Sequence, residues 1–303
     1  MSRENELKKI PEIQKAIINV LEYFDFFQHS LYPDEIHKYL SLKASQEAVF
    51  KNLEEMVSAG YIFTKNGLWA LNTKSLDLRL DNLKRNARLL RISKKMGWII
   101  RKFPFVKGVY LSGSLSKKGA IDNADIDYFI ITKNNRAWSA RLFLTAFKRI
   151  FLLNNKRYFC INFFLDENHL ELNKKNIYTA VESASLIPLH NKGLLGKFYE
   201  KNPFIRDYFP NFIPQKAYTF KYTRFFLHWI FNYDPLYGTR NEVADDFFGN
   251  WIEKKAQDIF KRRLFVKFKG ENGDSEISKH ISGIWPQGIQ NRVLNNYNEK
   301  KLV

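Results

Sequence analysis

Apolar residues recur at helical spacing from position 13 to 27, which predicts a first helix. Pro33-Asp34-Glu35 opens a second, short helix running to Leu40, and Ser45-Gln46-Glu47 carries the start signal of a third, which Gly60 ends. Two apolar runs, Tyr61-Ile62-Phe63-Thr64 and Leu68-Trp69-Ala70-Leu71, flank Lys65-Asn66-Gly67, and that spacing and turn chemistry predict a hairpin. Three helices followed by a hairpin predict a winged helix over residues 1–75. Residues 76–102 read as one long helix, with Leu83, Leu90, Ile92, Met96 and Ile99 or Ile100 on its apolar side. Lys84, Arg88, Arg91 and Lys95 stack on its other side.

Beyond residue 104 the pattern changes to strands. Residues 105–112, centred on Val109-Tyr110-Leu111, predict a strand that breaks at Gly113-Ser114. A second is expected over 125–132 and a third over 157–165. The Asp166-Glu167-Asn168-His169 turn after the third would bring Glu171 back alongside it. Helices follow at 178–186 and 194–200, and the remainder, 218–303, reads as helical, aromatic and basic, with a polar loop at 270–275. The expected fold class is therefore α+β. A small mixed sheet occupies a core over residues 76–175, with the N-terminal winged helix before it and a helical C-terminal region, 176–303, after it.

The chemistry concentrates between the first two strands of that core. Glycine at the end of a strand lets the backbone approach a triphosphate, and the following serine offers a hydroxyl and an N–H to phosphate oxygens. After a ten-residue spacer comes Asp125-Ile126-Asp127. Residues two apart in a strand share a face, so the two carboxylates lie side by side, and a divalent cation resolves their repulsion. A site of this kind aligns a hydroxyl with an α-phosphate and lets pyrophosphate depart.

The run Val109-Tyr110-Leu111-Ser112-Gly113-Ser114 through Ser116, followed by Asp125-Ile126-Asp127, resembles the signature of the DNA polymerase beta-like nucleotidyltransferase superfamily. It is similar in particular to a bacterial group of predicted nucleotidyltransferases with an N-terminal winged-helix-like region. The likeness takes in Phe103-Pro104-Phe105-Val106, Trp138, Arg141, Cys160-Ile161-Asn162 and Tyr178-Thr179-Ala180, and covers the chain to about residue 211. It implies transfer of a nucleoside monophosphate from an NTP to a hydroxyl-bearing acceptor with Mg²⁺ or Mn²⁺. Asp125 and Asp127 would hold the metal, and Gly113, Ser114 and Ser116 the triphosphate. Lys117 and Lys118, in the spacer, read either as partners of the β- and γ-phosphates or as solvated side chains. Members of the superfamily usually carry a third carboxylate on a neighbouring strand, and the matching position here is Asn162. An amide oxygen can ligate a metal but cannot take a proton. That departure keeps a second reading open, a catalytically degenerate protein that binds NTP or RNA. Trp138 reads as a core aromatic, with purine stacking as the alternative.

Composition narrows the partners. The chain carries 49 Lys and Arg against 31 Asp and Glu, a net +18. Residues 1–75 hold 9 basic and 10 acidic residues, a net −1, so the whole excess lies beyond them. The third helix carries Glu47, Glu54 and Glu55 against Lys51, which argues against a DNA-reading, regulatory winged helix. The basic remainder suits an NTP donor and an acceptor that is RNA, protein or a small molecule. The richest apolar run, 225–231, is too short to span a membrane and contains His228. The single cysteine, Cys160, and the polar start from Met1 to Glu6 lead to an expectation of a soluble, cytoplasmic protein.

Overall fold

The computed structural model describes residues 10–121, 124–155, 157–214, 247–267, 275–284 and 288–300. The apolar run at 225–231 and residues 270–274 of the loop expected at 270–275 lie outside the described residues, and Ser275 itself begins a strand.

Helix α1, Glu12–Asp25, buries Ile17, Val20, Leu21 and Phe24 along one stripe. Helix α2, Pro33–Tyr39, starts on Pro33, and Glu35 Oε2 accepts from the Tyr32 N–H at 3.0 Å. In α3, Gln46–Ser58, the expected cap is present, with Ser45 Oγ accepting from Ala48 N at 3.2 Å. Strands β1, Phe63–Lys65, and β2, Leu68–Ala70, form the hairpin. Asn66 and Gly67 both have positive φ, 51° and 74°, as a tight hairpin turn requires. Leu31 bridges to Trp69 and widens the hairpin by one backbone pairing.

The single helix expected over 76–102 is two, α4 (Thr73–Asp81) and α5 (Leu83–Ile100), joined at Asn82. Their partners differ. Helix α4 packs on the hairpin and buries Arg79, whose guanidinium pairs with Glu35 at 2.7 Å, whereas α5 packs on the central sheet. The Asn82 amide turns back onto Leu78 O at 2.7 Å, so the chain bends where it changes partner. Lys84, Arg88, Arg91 and Lys95 of α5 are all exposed.

The central sheet has six strands in the order β6-β3-β4-β5-β8-β7. Strand β3, Val106–Ser112, runs into the short helix α6, Gly113–Ser116, and pairs antiparallel with β4, Asp127–Thr132. Helix α7, Ala137–Phe151, then crosses over to β5, Cys160–Asp166, which lies parallel to β4. Helix α8, Ile177–Ala184, leads into β6, Ile187–His190, on the far edge of β3, followed by α9, Lys192–Lys201, and α10, Phe204–Tyr208. After α11, Phe247–Lys267, the hairpin β7 (Ser275–Ile277) and β8 (Ile281–Ile284) extends the sheet beyond β5, and α12, Ile289–Lys300, packs on α1 and α8. The C-terminal region is therefore mixed rather than wholly helical.

Both faces of the sheet are covered, which explains the unbroken apolar run of β4. On one face, Tyr110, Phe129, Ile131, Phe163 and Leu165 join the apolar residues of α1–α3, α8 and α9. On the other, Val109, Leu111, Tyr128, Ile130 and Phe164 meet α5, α7 and α11. Phe129 and Phe163 stack across β4 and β5 with centroids 5.0 Å apart. The backbone start of α7 is held in trans. Glu253 on α11 accepts from Trp138 N at 2.9 Å and from Ser139 N and Oγ at 2.7 and 2.6 Å, and so caps a helix start that has no side-chain cap of its own.

Candidate functional site

Antiparallel pairing sets Ser112 opposite Asp127, so the end of β3 and the head of β4 come together. Just past Ser112 the chain turns at Gly113 with φ +69°, a left-handed conformation in which a side chain is strained. Steric room demands glycine as well, because a Cβ there would overlap the carboxylate of Asp127. The glycine is thus explained by the aspartate beside it.

Asp127 starts β4, whereas the second strand was expected from 125. Asp125 precedes the first pairing of β4 with β3, although Ile126 still exchanges backbone bonds with Arg157 and Cys160. Ile126 is fully buried, and its two acidic neighbours remain partly accessible. Across to β5, Asn162 Nδ2 donates to Asp127 Oδ1 at 2.5 Å, and the Cys160 thiol donates to Asn162 Oδ1 at 3.1 Å. Burial raises the Asp127 carboxyl to about 7. The negative charges of Glu182 and Asp125 add to the rise, and the nearby Cys160 thiol and the charge of Lys117 oppose it. Burial and the nearby carboxylates likewise push the Cys160 thiol up to about 12, so it stays protonated. The positive charge that acts on Asp127, Lys117, is itself paired with Glu182, and a divalent cation shared with Asp125 fits the remaining deficit.

A cavity of about 280 Å³ opens over this junction. Ser112, Gly113, Ser114, Lys117, Asp127 and Asn162 line its floor, and Phe24, Phe27 and His29 from the N-terminal helix and its following loop stand over it. Lys117 and Glu182 pair across it at 2.8 Å, each side chain about one-tenth exposed. Burial and the cations Arg79 and Lys117 hold His29 well below its ordinary value, so it is neutral.

The remaining predicted residues have other positions. Ser116 is buried and donates from Oγ to Gly113 O at 2.8 Å, bracing the turn from beneath. Lys118 is exposed, has φ 58°, and lines a second cavity of about 330 Å³ with Lys38, Glu35 and Ser116. Glu171 is exposed, lies outside any strand and pairs with Lys175 at 2.6 Å. The neighbours of β5 are β4 and β8, so no returning strand brings Glu171 to Asn162. Trp138 is fully buried and donates from Nε1 to Ser278 O at 3.1 Å, which makes it part of the core rather than a stacking platform. Arg141 is also buried, on Ser282.

Sequence reasoning missed Glu182. Its signal was a lone acid in the run Ile177 to Ala184, every residue of which is buried.

A further cluster, Asp166, His169 and His280, stands at the opposite end of β5. Asp166 accepts from the N–H groups of Asn135 and Asn168 at 2.6 and 2.8 Å and lies 3.1 Å from His280 Nδ1. The two imidazoles stack with centroids 3.5 Å apart and planes 12° apart. Parallel rings aim their in-plane lone pairs along parallel lines, so an ion about 2.1 Å from both nitrogens would stand well out of each ring plane. The cluster suits a buried carboxylate that ties three loops together.

Among the described residues no helix is long and apolar enough to cross a membrane. Comparison of the chain with protein-family models, with curated proteins and with solved structures finds no match in any of the three.

Proposed function

We propose that this protein is a metal-dependent nucleotidyltransferase of the DNA polymerase beta-like superfamily, moving a nucleoside monophosphate from an NTP to a hydroxyl-bearing acceptor. One observation carries the reading. A strand ends in a positive-φ glycine whose absent side chain is what admits the carboxylate heading the next strand, and a ligand-sized cavity lies directly above.

Asp125 and Asp127 would hold Mg²⁺ or Mn²⁺, which when bound supplies charge neutralisation for the triphosphate and the attacking oxygen. The open backbone at Gly113-Ser114 receives phosphate oxygens, with Lys117 beside it. Asn162 orients Asp127 through its amide donor. The apolar roof from Phe24 and Phe27 excludes water from the reacting phosphate.

The order of three helices and a hairpin supports a winged-helix identity for the N-terminal region. Its use here is structural: α1 and the loop after it roof the cavity. The solvent face of α3 exposes Glu47, Glu54 and Glu55 around Lys51, which opposes a phosphate-binding role.

Incubation with each α-labelled NTP, Mg²⁺ or Mn²⁺ and cell extract tests the reading. Label passing to an acceptor with the intact chain, and not with Asp125→Ala/Asp127→Ala, is the expected result. The bond from Asn162 to Asp127 favours one competing reading, a noncatalytic NTP-binding protein. Metal-dependent NTP binding without any transfer would select it.

A further inference from the structure

Two carboxylates line the cavity, Asp127 and Glu182. Glu182 rises from α8, a helix that is otherwise apolar, aromatic or hydroxyl-bearing and buried throughout, where an ionised side chain is costly unless it has a partner. Its partner is Lys117, which ends the short helix that opens at Gly113-Ser114. The lysine therefore stands where it can serve two anions: the glutamate it now holds, and any phosphate seated on the turn. The negative charge of Glu182 also reaches Asp127, so the two acids share one electrostatic environment although they come from different layers of the fold.

Resting on the nucleotidyltransferase reading, we infer that Glu182 is the third carboxylate of the site, the one that Asn162 does not provide, and that Lys117 restrains it until a triphosphate arrives. With the cavity empty, the ion pair keeps both groups satisfied. A triphosphate offers Lys117 a denser negative charge, the lysine moves to it, and Glu182 is left unpaired beside the acceptor. The acceptor oxygen then bonds to the α-phosphorus and its proton passes to a Glu182 oxygen. The bond from the α-phosphorus to the bridging oxygen breaks, and pyrophosphate leaves with the electron pair. Lys117 and Glu182 are thus catalytic residues by contact with substrate, and their pairing keeps the base out of action until the donor is bound.

The test uses the full chain and two readouts. Glu182→Gln keeps size and hydrogen-bonding capacity but cannot take a proton, and it no longer holds Lys117 by charge. Calorimetry with inorganic tripolyphosphate and Mg²⁺ should find it binding about five- to tenfold more tightly than wild type, about 1.0–1.4 kcal/mol. Lys117→Gln should bind more weakly. Transfer from α-labelled NTP should fall at least ~100-fold in Glu182→Gln, the lower end for loss of a general base. Glu182→Asp, which keeps a carboxylate, should retain measurable transfer, and thermal unfolding of each variant identifies any that fails to fold. Transfer by Glu182→Gln at the wild-type rate, or tripolyphosphate binding no tighter than wild type, would overturn the assignment. A wild-type chain that transfers no label would sink the nucleotidyltransferase reading and the proton role with it, whereas wild-type transfer with an indifferent Glu182→Gln would overturn Glu182 alone.

Discussion

Gly113→Ala is the sharpest structural perturbation of the site, and Gly60→Ala supplies its control. Both glycines have positive φ, +69° and +76°, so alanine meets the same backbone penalty at each, about 1–2 kcal/mol, part of which is offset by a stiffer unfolded chain. The surroundings differ. A Cβ on Gly60 meets nothing within 4 Å, whereas on Gly113 it overlaps the Asp127 carboxylate. Relief requires that carboxylate to move away from Asn162, losing a hydrogen bond to a charged group worth about 1.5–3 kcal/mol. Gly60→Ala should therefore lose about 1 kcal/mol and Gly113→Ala about 3, the difference of roughly 2 isolating the contact. Urea unfolding with a chelator present, followed by tryptophan fluorescence, measures both losses, and Mn²⁺ titration by electron paramagnetic resonance measures the site. Gly113→Ala should bind Mn²⁺ poorly and Gly60→Ala as well as wild type. Equal stability losses together with unchanged Mn²⁺ binding in Gly113→Ala would refute the view that the glycine exists to seat Asp127.

Three more predictions follow from the same geometry. Because Asp127 titrates at about 7 in the fold against 3.8 ordinarily, the native state holds an extra proton between those values, and metal-free stability falls as pH rises through that window. Asp127→Asn, whose amide oxygen can still accept from Asn162, should be more stable than wild type at pH 8 with chelator, and the gap should close towards pH 4; a constant gap would show that burial of the charge is not the cause. Asn162→Asp places another carboxylate 2.5 Å from Asp127, so it should destabilise the metal-free protein at pH 8 and tighten Mn²⁺ binding roughly tenfold, ~1.4 kcal/mol, by isothermal titration. Trp138→Ala should cost about 3–5 kcal/mol in urea unfolding as a core truncation, while NTP affinity of the folded fraction stays at the wild-type value.

How much of this was legible depended on whether the signal was local. Strand alternation and turn chemistry put Gly113 and Asp127 at one junction, because each is fixed by its own strand and by pairing with an adjacent one, whereas Asn162 was placed by the resemblance and lies where β5 shifts register against β4. Asn66-Gly67 and the Ser45 cap were readable for the same reason. The break at Asn82 was not, since both halves keep a helical period and only the change of packing partner bends the chain. Strands β7 and β8 are three and four residues long, too short for alternation to register against a basic, aromatic background. Glu171 was the natural replacement acid if β5 returned as a hairpin, but β5 is flanked by β4 and β8. The acid that shares the cavity with Asp127 comes from α8, 65 positions from its lysine partner, a juxtaposition that only the layered fold creates.

The measurement that tests the central claim most directly is an anomalous-difference map from crystals of the full chain grown with Mn²⁺ and an NTP. The account predicts a peak about 2.0–2.2 Å from carboxylate oxygens of both Asp125 and Asp127, with the triphosphate over Gly113-Ser114 and Lys117 turned onto it. A peak bound by Asp166 and the two histidines instead, or nucleotide density away from the β3–β4 junction, would contradict it.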